Sequence, residues 1–288
     1  GAEAYGAGMG ALFFDADGDG DLDLYVANRG PDVLLEGDGN GHFSPVPLPA
    51  ALAADFWSAG IAAADYDGDG DLDLYITRYL DFDLAKMERG PDLQTYQRED
   101  PLPMLPFAFP AADNVFLRNE GALVFKDVTA ELDLADSQGR GMQPIFWDFD
   151  RDGDPDLYVA NDVSFNVLYR NEGDGTFQDI SYQTGVDDPR GGMGLAIGDV
   201  DGDLDEDLFL TNWQLEANAL YISNLYSPYA VKHHRANFHD GTVAAGLVGS
   251  IGYTSWGAVL FDLECDGDLD RFGANGYTSP DYERTGKS

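Results

Sequence analysis

The stretch "DADGDGDLDLYVAN", residues 15–28, places five aspartates within nine positions and then continues as an alternating apolar segment. Carboxylates a few ångströms apart repel one another by about 1 kcal/mol or more per pair at surface dielectrics. A cation is therefore expected among them. Counted from Asp15, the acids occupy positions 1, 3, 5, 7 and 9, and Gly20 stands at position 6, as in an EF-hand-type calcium loop.

The residues after this loop differ from those of an EF-hand. Position 12 is Val26 instead of a glutamate, and Leu22, Leu24 and Val26 recur at every second position. This period is that of a β-strand. The sequence therefore predicts a calcium loop between two strands, in which the backbone carbonyl of Asp21 adds a further oxygen ligand.

The loop belongs to a repeat. The 21 residues 8–28 return, in register, at 58–78, 141–161, 192–212 and 255–275. Self-similarity at a period near 50 residues is typical of repeat architectures. We name the acidic segments loop 1 (15–23), loop 2 (65–73), loop 3 (148–156), loop 4 (199–207) and loop 5 (262–270).

All five loops supply candidate calcium ligands at positions 1, 3, 5, 7 and 9. These are Asp15, Asp17, Asp19, Asp21 and Asp23; Asp65, Asp67, Asp69, Asp71 and Asp73; Asp148, Asp150, Asp152, Asp154 and Asp156; Asp199, Asp201, Asp203, Asp205 and Asp207; and Asp262, Glu264, Asp266, Asp268 and Asp270.

The loops are not equivalent. Loops 1 to 3 follow the pattern fully, although loop 3 contains Arg151 and Pro155. Loop 4 has Leu204 in place of the turn glycine, where a left-handed conformation costs a residue with a Cβ about 1 to 2 kcal/mol. Loop 5 has Glu264, one methylene longer than aspartate, at position 3. We expect about three strong calcium sites and up to five in total.

Composition agrees with a folded acidic protein. The 288 residues include 53 acidic and 16 basic side chains, for a formal charge of −37, and 44% are hydrophobic. Such a charge repels nucleic acid and anionic lipid surfaces, and no apolar run reaches membrane-spanning length. The single cysteine, Cys265, excludes an internal disulfide. Because weak calcium loops need about 10⁻⁴ to 10⁻³ M calcium, we expect a location outside the cytoplasm.

A second recurring piece lies between the loops. "NVLYRNEGDGTFQDIS" from Asn166 is similar to segments from Asp32 and Asn114, and a degenerate copy starts at Asn218. Each predicts a hairpin. With the strands that flank each acidic loop, every unit has four strands, which is typical of a β-propeller blade. The predicted fold is a single all-β propeller over residues 1–288, with units at about 8–50, 58–136, 141–188, 192–249 and 255–288.

The loops and hairpins resemble FG-GAP/VCBS repeats, which also occur in the α-integrin propeller. The order of the pieces is most similar to the bacterial UnbV-type relatives of cartilage acidic protein, whose "RGMG" and "LFVANGH" motifs are echoed at residues 190–194 and 271–277. This resemblance implies a bacterial calcium-binding propeller that is secreted, periplasmic or on the cell surface. The resemblance also implies further repeats, since members of the family usually continue into them. In this sequence unit 5 stops after two strands. We expect a larger, seven-bladed ring or assembly through open strand edges.

Two segments depart from the repeat. Residues 79–113 form a Pro- and aromatic-rich insertion in unit 2, which is either a covering loop or a recognition loop. Residues 223–240 concentrate Lys232, His233, His234, Arg235 and His239. They lack a zinc-protease spacing, so a solvated basic turn is the favoured interpretation.

Two classes of function remain. The favoured class is a noncatalytic calcium-binding scaffold for adhesion, assembly or accessory roles, with a protein or glycan partner at the cell surface. The alternative is a hydrolase or lyase acting on polysaccharide at the propeller face, because a catalytic carboxylate pair cannot be distinguished in sequence among so many acids.

Overall fold

The computed structural model describes residues 7–52, 56–81, 106, 109–227 and 237–276, and this part of the chain is predominantly β-structure. We call each sheet a blade and number the blades in chain order. The strands are β1 (Ala7–Phe14), β2 (Asp23–Arg29), β3 (Val33–Gly37) and β4 (Phe43–Val46) in blade 1; β5 (Ser58–Ala64), β6 (Asp73–Arg78), β7 (Val115–Asn119) and β8 (Phe125–Asp127) in blade 2; β9 (Gly141–Trp147), β10 (Asp156–Asn161), β11 (Val167–Asn171) and β12 (Phe177–Asp179) in blade 3; β13 (Gly192–Gly198), β14 (Asp207–Asn212), β15 (Ala219–Ser223) and β16 (Phe238–Asp240) in blade 4; and β17 (Thr254–Phe261) and β18 (Asp270–Gly276) in blade 5.

Helical structure in the described residues is limited to short turns between blades. These are α1 (Thr129–Leu132), α2 (Ser181–Thr184) and two 3₁₀ turns, Ala50–Leu52 and Leu247–Gly252. None of the described helices has the length and apolar character needed to cross a membrane.

Each of blades 1 to 4 is an antiparallel meander in which consecutive strands pair, and blade 5 is a single hairpin. The acidic loop always joins the first strand to the second. Neighbouring blades contact one another through their first strands, with β1 beside β5, β5 beside β9, β9 beside β13 and β13 beside β17. This succession of twisted sheets packed face to face is the arrangement of a β-propeller.

The first strands approach one another closely, which explains the glycines near their start. A Cβ on Gly60 would lie 2.3 Å from the carbonyl oxygen of Met142 in the next blade, and one on Gly194 would lie 2.0 Å from that of Trp256. The Thr77 hydroxyl donates to the same Met142 oxygen at 2.9 Å. Only glycine therefore fits where adjacent blades share these hydrogen bonds.

The hydrophobic core is divided among the spaces between blades. Four clusters lie between successive pairs of sheets; for example, Tyr158 and Leu168 of blade 3 pack with Leu208 and Leu210 of blade 4. Strands β6, β10 and β14 are buried at every residue because a blade covers each of their faces. Strand β18, by contrast, is exposed along most of its length.

The predicted all-β fold of four-stranded blades is confirmed. The described residues of the fifth unit form two paired strands, β17 and β18, and the predicted unit bounds stay predictions. Residues 82–105, 107 and 108 of the insertion lie outside the described residues, and so do Lys232, His233, His234 and Arg235. The interpretations of those segments therefore stay predictions. Cys265 is exposed in loop 5.

Candidate metal centre

Each acidic loop is shaped by the aspartate at position 1. The carboxylate of Asp148 accepts hydrogen bonds from the backbone N–H groups of Asp152 and Gly153, both at 3.0 Å. Asp65 does the same in loop 2, and Asp262 in loop 5. An Asp at this position thus closes the turn by the side chain-to-backbone bonding that its short side chain favours.

The turn also requires a left-handed residue at position 6. Gly20 has φ of 93° and Gly153 has φ of 102°. Leu204 occupies the same position in loop 4 with φ of 76°, so the loop closes there in spite of its side chain. The strain that the sequence predicted at Leu204 is therefore present in the folded loop.

The aspartate at position 9 joins the loop to the rest of its blade. The Asp73 carboxylate accepts the N–H of Tyr66 at 3.1 Å and that of Asn119, at the end of β7, at 2.8 Å. Asp156 accepts from Phe149 and Asn171 in the same way. Both carboxylates are fully buried. Position 9 therefore has a structural role that sequence reasoning, which named it only as a ligand, did not find.

The side chain at position 7 points to the neighbouring hairpin turn. A Cβ on Gly39 would lie 2.2 Å from Asp21 Oδ1, and one on Gly173 would lie 2.4 Å from Asp154 Oδ2. In loop 4, Asp205 Oδ2 accepts the N–H of Leu225 at 2.9 Å. These carboxylates lie against the hairpin that joins the third and fourth strands of the same blade. The backbone carbonyl groups of the same aspartates remain the candidate ligands at this position.

Four loops bring three carboxylates together. In each group the ligand atoms lie within 4.8 Å of one another, close enough to share one ion; the groups are Asp15, Asp17 and Asp19; Asp65, Asp67 and Asp73; Asp148, Asp150 and Asp156; and Asp199, Asp201 and Asp203. Among the described residues, loop 5 forms no such group. The assignment of all twenty-five predicted ligands stays a prediction.

Loop 3 shows most directly that a cation fits. Asp150 Oδ1 is buried and has no hydrogen-bond partner, although buried carboxylate oxygens are normally paired. Burial, together with Asp152 and Asp148, raises the pKa of Asp150 to about 6. Burial also raises the pKa of Asp156 to about 8. A hard, oxygen-seeking dication such as Ca²⁺ would satisfy the unpaired oxygen and stabilise the charged forms.

Two buried asparagines connect a loop to the following blade. Asn119 Nδ2, in blade 2, donates to the carbonyl of Ala16 in loop 1 at 2.7 Å. Asn171 Nδ2, in blade 3, donates to that of Tyr66 in loop 2 at 2.8 Å. The recurring "RNEG" of residues 118–121 and 170–173 was the sequence signal for these contacts, although its role in joining blades could not be deduced from it.

Blades packed side by side, each with an Asp-rich loop between its first two strands, define a repeat β-propeller. Residues 15–76 and 148–210 match the FG-GAP-like repeat model. The chain carries FG-GAP-like repeats, as the motifs predicted.

The chain is homologous to cartilage acidic protein 1. It is 37% identical to the Xenopus tropicalis protein and 35% identical to the Homo sapiens protein over 99 residues each. The alignment covers 33% of this chain in both cases, and 15% and 14% of those proteins. This chain therefore aligns with only a small part of these relatives. A solved structure of an Agrocybe aegerita lectin is also similar, with 16% identity, a TM-score of 0.49 and coverage of 91% of this chain and 60% of that one.

Proposed function

We propose that the chain is a noncatalytic scaffold whose blades are stabilised by Ca²⁺ in the acidic loops. The observation that carries this proposal is the unpaired, buried Asp150 Oδ1, which stands in a group with Asp148 and Asp156. A bound dication would supply positive charge there. The chain's own residues shape the site, because the aspartate at position 1 closes the loop and the aspartate at position 9 joins the loop to its blade.

Calcium that binds only the folded state stabilises it by linkage. The affinity expected of such loops places the protein where calcium is plentiful, so we propose a secreted, cell-surface or periplasmic location.

Blade 5 supports an assembly role within this proposal. Its described residues expose Trp256, Val259 and Phe272, which are 40%, 45% and 58% accessible. The first two strands of blades 2 to 4, which correspond to β17 and β18, are covered by a neighbouring blade. The partner proposed for this surface is a further blade, in the same chain or in another.

The test is calorimetric titration of EDTA-stripped protein with Ca²⁺, together with thermal melting. We expect at least three sites and a large rise in melting temperature. Asp150→Asn should remove one site. Asp154→Asn, at position 7 of the same loop, is the matched control and should leave the number of sites unchanged. The proposal fails if the stripped protein neither binds Ca²⁺ nor gains stability from it.

One observation favours the polysaccharide-acting enzyme as a second candidate. Asp162 Oδ1 and Glu216 Oε2 lie 2.8 and 3.4 Å from the point where a Cβ would stand on Gly191, so the two carboxylates are neighbours outside the acidic loops. Burial raises the pKa of Asp162, to whose Oδ2 the Tyr79 hydroxyl donates at 2.5 Å. A carboxyl group whose pKa is raised can act as a general acid, with a neighbouring carboxylate as base or nucleophile. Polysaccharide cleavage that Asp162→Asn abolishes would establish this function.

A further inference from the structure

A cavity of about 330 Å³ opens on blade 3 at the end of β10 opposite to loop 3. Its lining includes Phe165, from the β10–β11 connection, and Tyr182 and Gln183, from α2. Asp179 and Asp187 complete its polar rim. Volumes near 300 Å³ lie at the small end of the range for small-molecule sites.

Two aromatic rings at this cavity are exposed to solvent. Phe165 is 62% accessible and Tyr182 is 84% accessible. Neither ring belongs to a core cluster of the described residues. The rings therefore contribute little to folding, and aromatic side chains that line a cavity are typical of a ligand-binding site.

Phe165 is an aromatic residue that the repeat itself does not require. It precedes Asn166, whose Oδ1 accepts the N–H of Asn161 at the end of the second strand. Asn114 and Asn218 make the same bond in blades 2 and 4, at 2.8 and 2.9 Å. The residues before them are Asp113 and Ala217. Blade 3 therefore carries a ring where the equivalent positions carry an acid or a methyl group.

Tyr182 departs from the repeat in the same way. It follows Ser181, whose hydroxyl accepts the N–H of Leu168 at 2.9 Å. Thr129 and Thr242 accept the equivalent N–H groups in blades 2 and 4. The residues after them are Ala130 and Val243. Two independent departures from the repeat thus place aromatic rings at one cavity.

The polar groups around the rings are mainly hydrogen-bond acceptors. Asp179 is held in place because its Oδ1 accepts the backbone N–H and the hydroxyl of Ser181, at 3.0 and 2.5 Å. An ionised carboxylate only accepts hydrogen bonds, whereas the Gln183 amide both donates and accepts. This set suits a ligand with several hydroxyl donors and an apolar face.

We propose that this cavity binds a neutral saccharide. One face of a sugar ring carries C–H groups that pack on aromatic rings, and its hydroxyl groups donate to carboxylates. Acidic sugars are disfavoured because Asp179 and Asp187 line the cavity and the chain has a formal charge of −37.

The test is a glycan array that presents neutral and anionic oligosaccharides, probed with the labelled protein in millimolar Ca²⁺. The strongest neutral ligand is then titrated by calorimetry. Tyr182→Ala and Phe165→Ala should each weaken binding about tenfold, because each removes one aromatic contact. Tyr182→Phe, which keeps the ring, should bind with nearly the original affinity.

Val243→Ala is the matched control, because Val243 occupies the position of Tyr182 in blade 4 and is 78% exposed. It should bind as the unaltered protein does, and equal melting temperatures should show that all variants fold. The proposal is overturned if no neutral glycan binds, if only anionic glycans bind, or if both alanine variants keep full affinity. None of these outcomes depends on whether the acidic loops bind calcium.

Discussion

The guanidinium of Arg151, in loop 3, donates a hydrogen bond to the carbonyl oxygen of Leu204, in loop 4. Leu204 replaces the turn glycine at position 6, and Arg151 stands at position 4, where loops 1, 2 and 4 have glycine. Both residues have left-handed backbones, with φ of 59° for Arg151 and 76° for Leu204. Arg151 also donates to the Tyr226 hydroxyl at 2.7 Å and pairs with Glu206 at 3.3 Å. The two irregular positions thus form one contact between blades 3 and 4.

Replacing Leu204 by glycine should stabilise the protein. Glycine removes the strain of a left-handed residue, and Leu204 is 71% exposed, so little packing is lost. The backbone hydrogen bond to Arg151 is kept. We expect Leu204→Gly to raise the free energy of unfolding by about 0.5 to 1 kcal/mol, measured by urea denaturation. The reverse change in loop 1, Gly20→Leu, should lower it. If Leu204→Gly is destabilising, the side chain has a role that its exposure does not reveal.

Removing the Arg151 side chain should loosen the contact between loops 3 and 4. We expect Arg151→Ala to lower the urea midpoint slightly, because the interactions are exposed. Double-mutant cycles of Arg151→Ala with Tyr226→Phe and with Glu206→Gln should each give a favourable coupling energy. High salt should weaken the coupling with Glu206 far more than the coupling with Tyr226, because only the Glu206 contact is an ion pair. Arg118→Ala, which removes an ion pair to Glu120 within one blade, is the control for loss of a surface arginine. Strictly additive effects in both cycles would contradict a clamp between the blades.

Asn119→Ala should destabilise the contact between blades 1 and 2. The substitution leaves the carbonyl of Ala16 without the side-chain donor seen at 2.7 Å, and Ala16 is 1% exposed. We expect a loss of about 1 to 3 kcal/mol in the free energy of unfolding. Asn40→Ala removes a 2.8 Å hydrogen bond to Asp38 within one exposed turn and should cost much less. Equal losses from the two substitutions would mean that the interblade bond has no special weight.

Asp136 should make stability depend on pH. Burial raises its pKa from 3.8 to about 6, although Asn161 Nδ2 donates to its carboxylate at 2.8 Å. Because the folded-state pKa is raised, the favourable contribution of this group is complete below pH 3.8 and is lost as the pH rises through 6. Asp136→Asn keeps the acceptor oxygen and avoids the buried charge. We expect it to stabilise the protein by about 2 kcal/mol at pH 7.5 and to have little effect near pH 4.

The measurement for Asp136 is chemical denaturation across this pH range. Asp113→Asn, an equal change of charge at an exposed position near the start of β7, is the control for the loss of one negative charge. A stabilisation by Asp136→Asn that is the same at pH 4 and pH 7.5 would rule out titration of Asp136 as its cause.

Local features of the chain were predictable from sequence. The spacing of Asp15, Asp17 and Asp19 around Gly20 predicted an acidic loop that turns at the glycine. The structure adds that the aspartate at position 1 closes this loop, because it accepts hydrogen bonds from backbone N–H groups a few residues ahead in the chain. The recurrence of that turn, together with the hairpin segments between its copies, predicted repeated four-stranded units. The difference at Leu204 was also predictable, because φ at position 6 is fixed by the turn itself.

The separate roles of chemically identical aspartates were not predictable in this way. Asp21 lies against the turn at Gly39, and Asp73 bonds to Asn119 while also standing in a group of three carboxylates. Only some of the other acids gather into such groups. These partners lie on other strands, so spacing within the loop carries no information about them.

The sequence by itself determined the loops, the strand pattern and the repeat, since each depends on hydrogen bonds and sterics within a few residues. The tertiary structure decided which faces are buried and which groups meet. Strand β2 shows this, because Tyr25 and Ala27 are fully buried against blade 2, whereas Leu24 and Val26 on its other face are only half-buried. In β6 and β10 both faces are buried. Strands of nearly identical sequence thus differ in burial because burial depends on how many neighbouring blades pack against them.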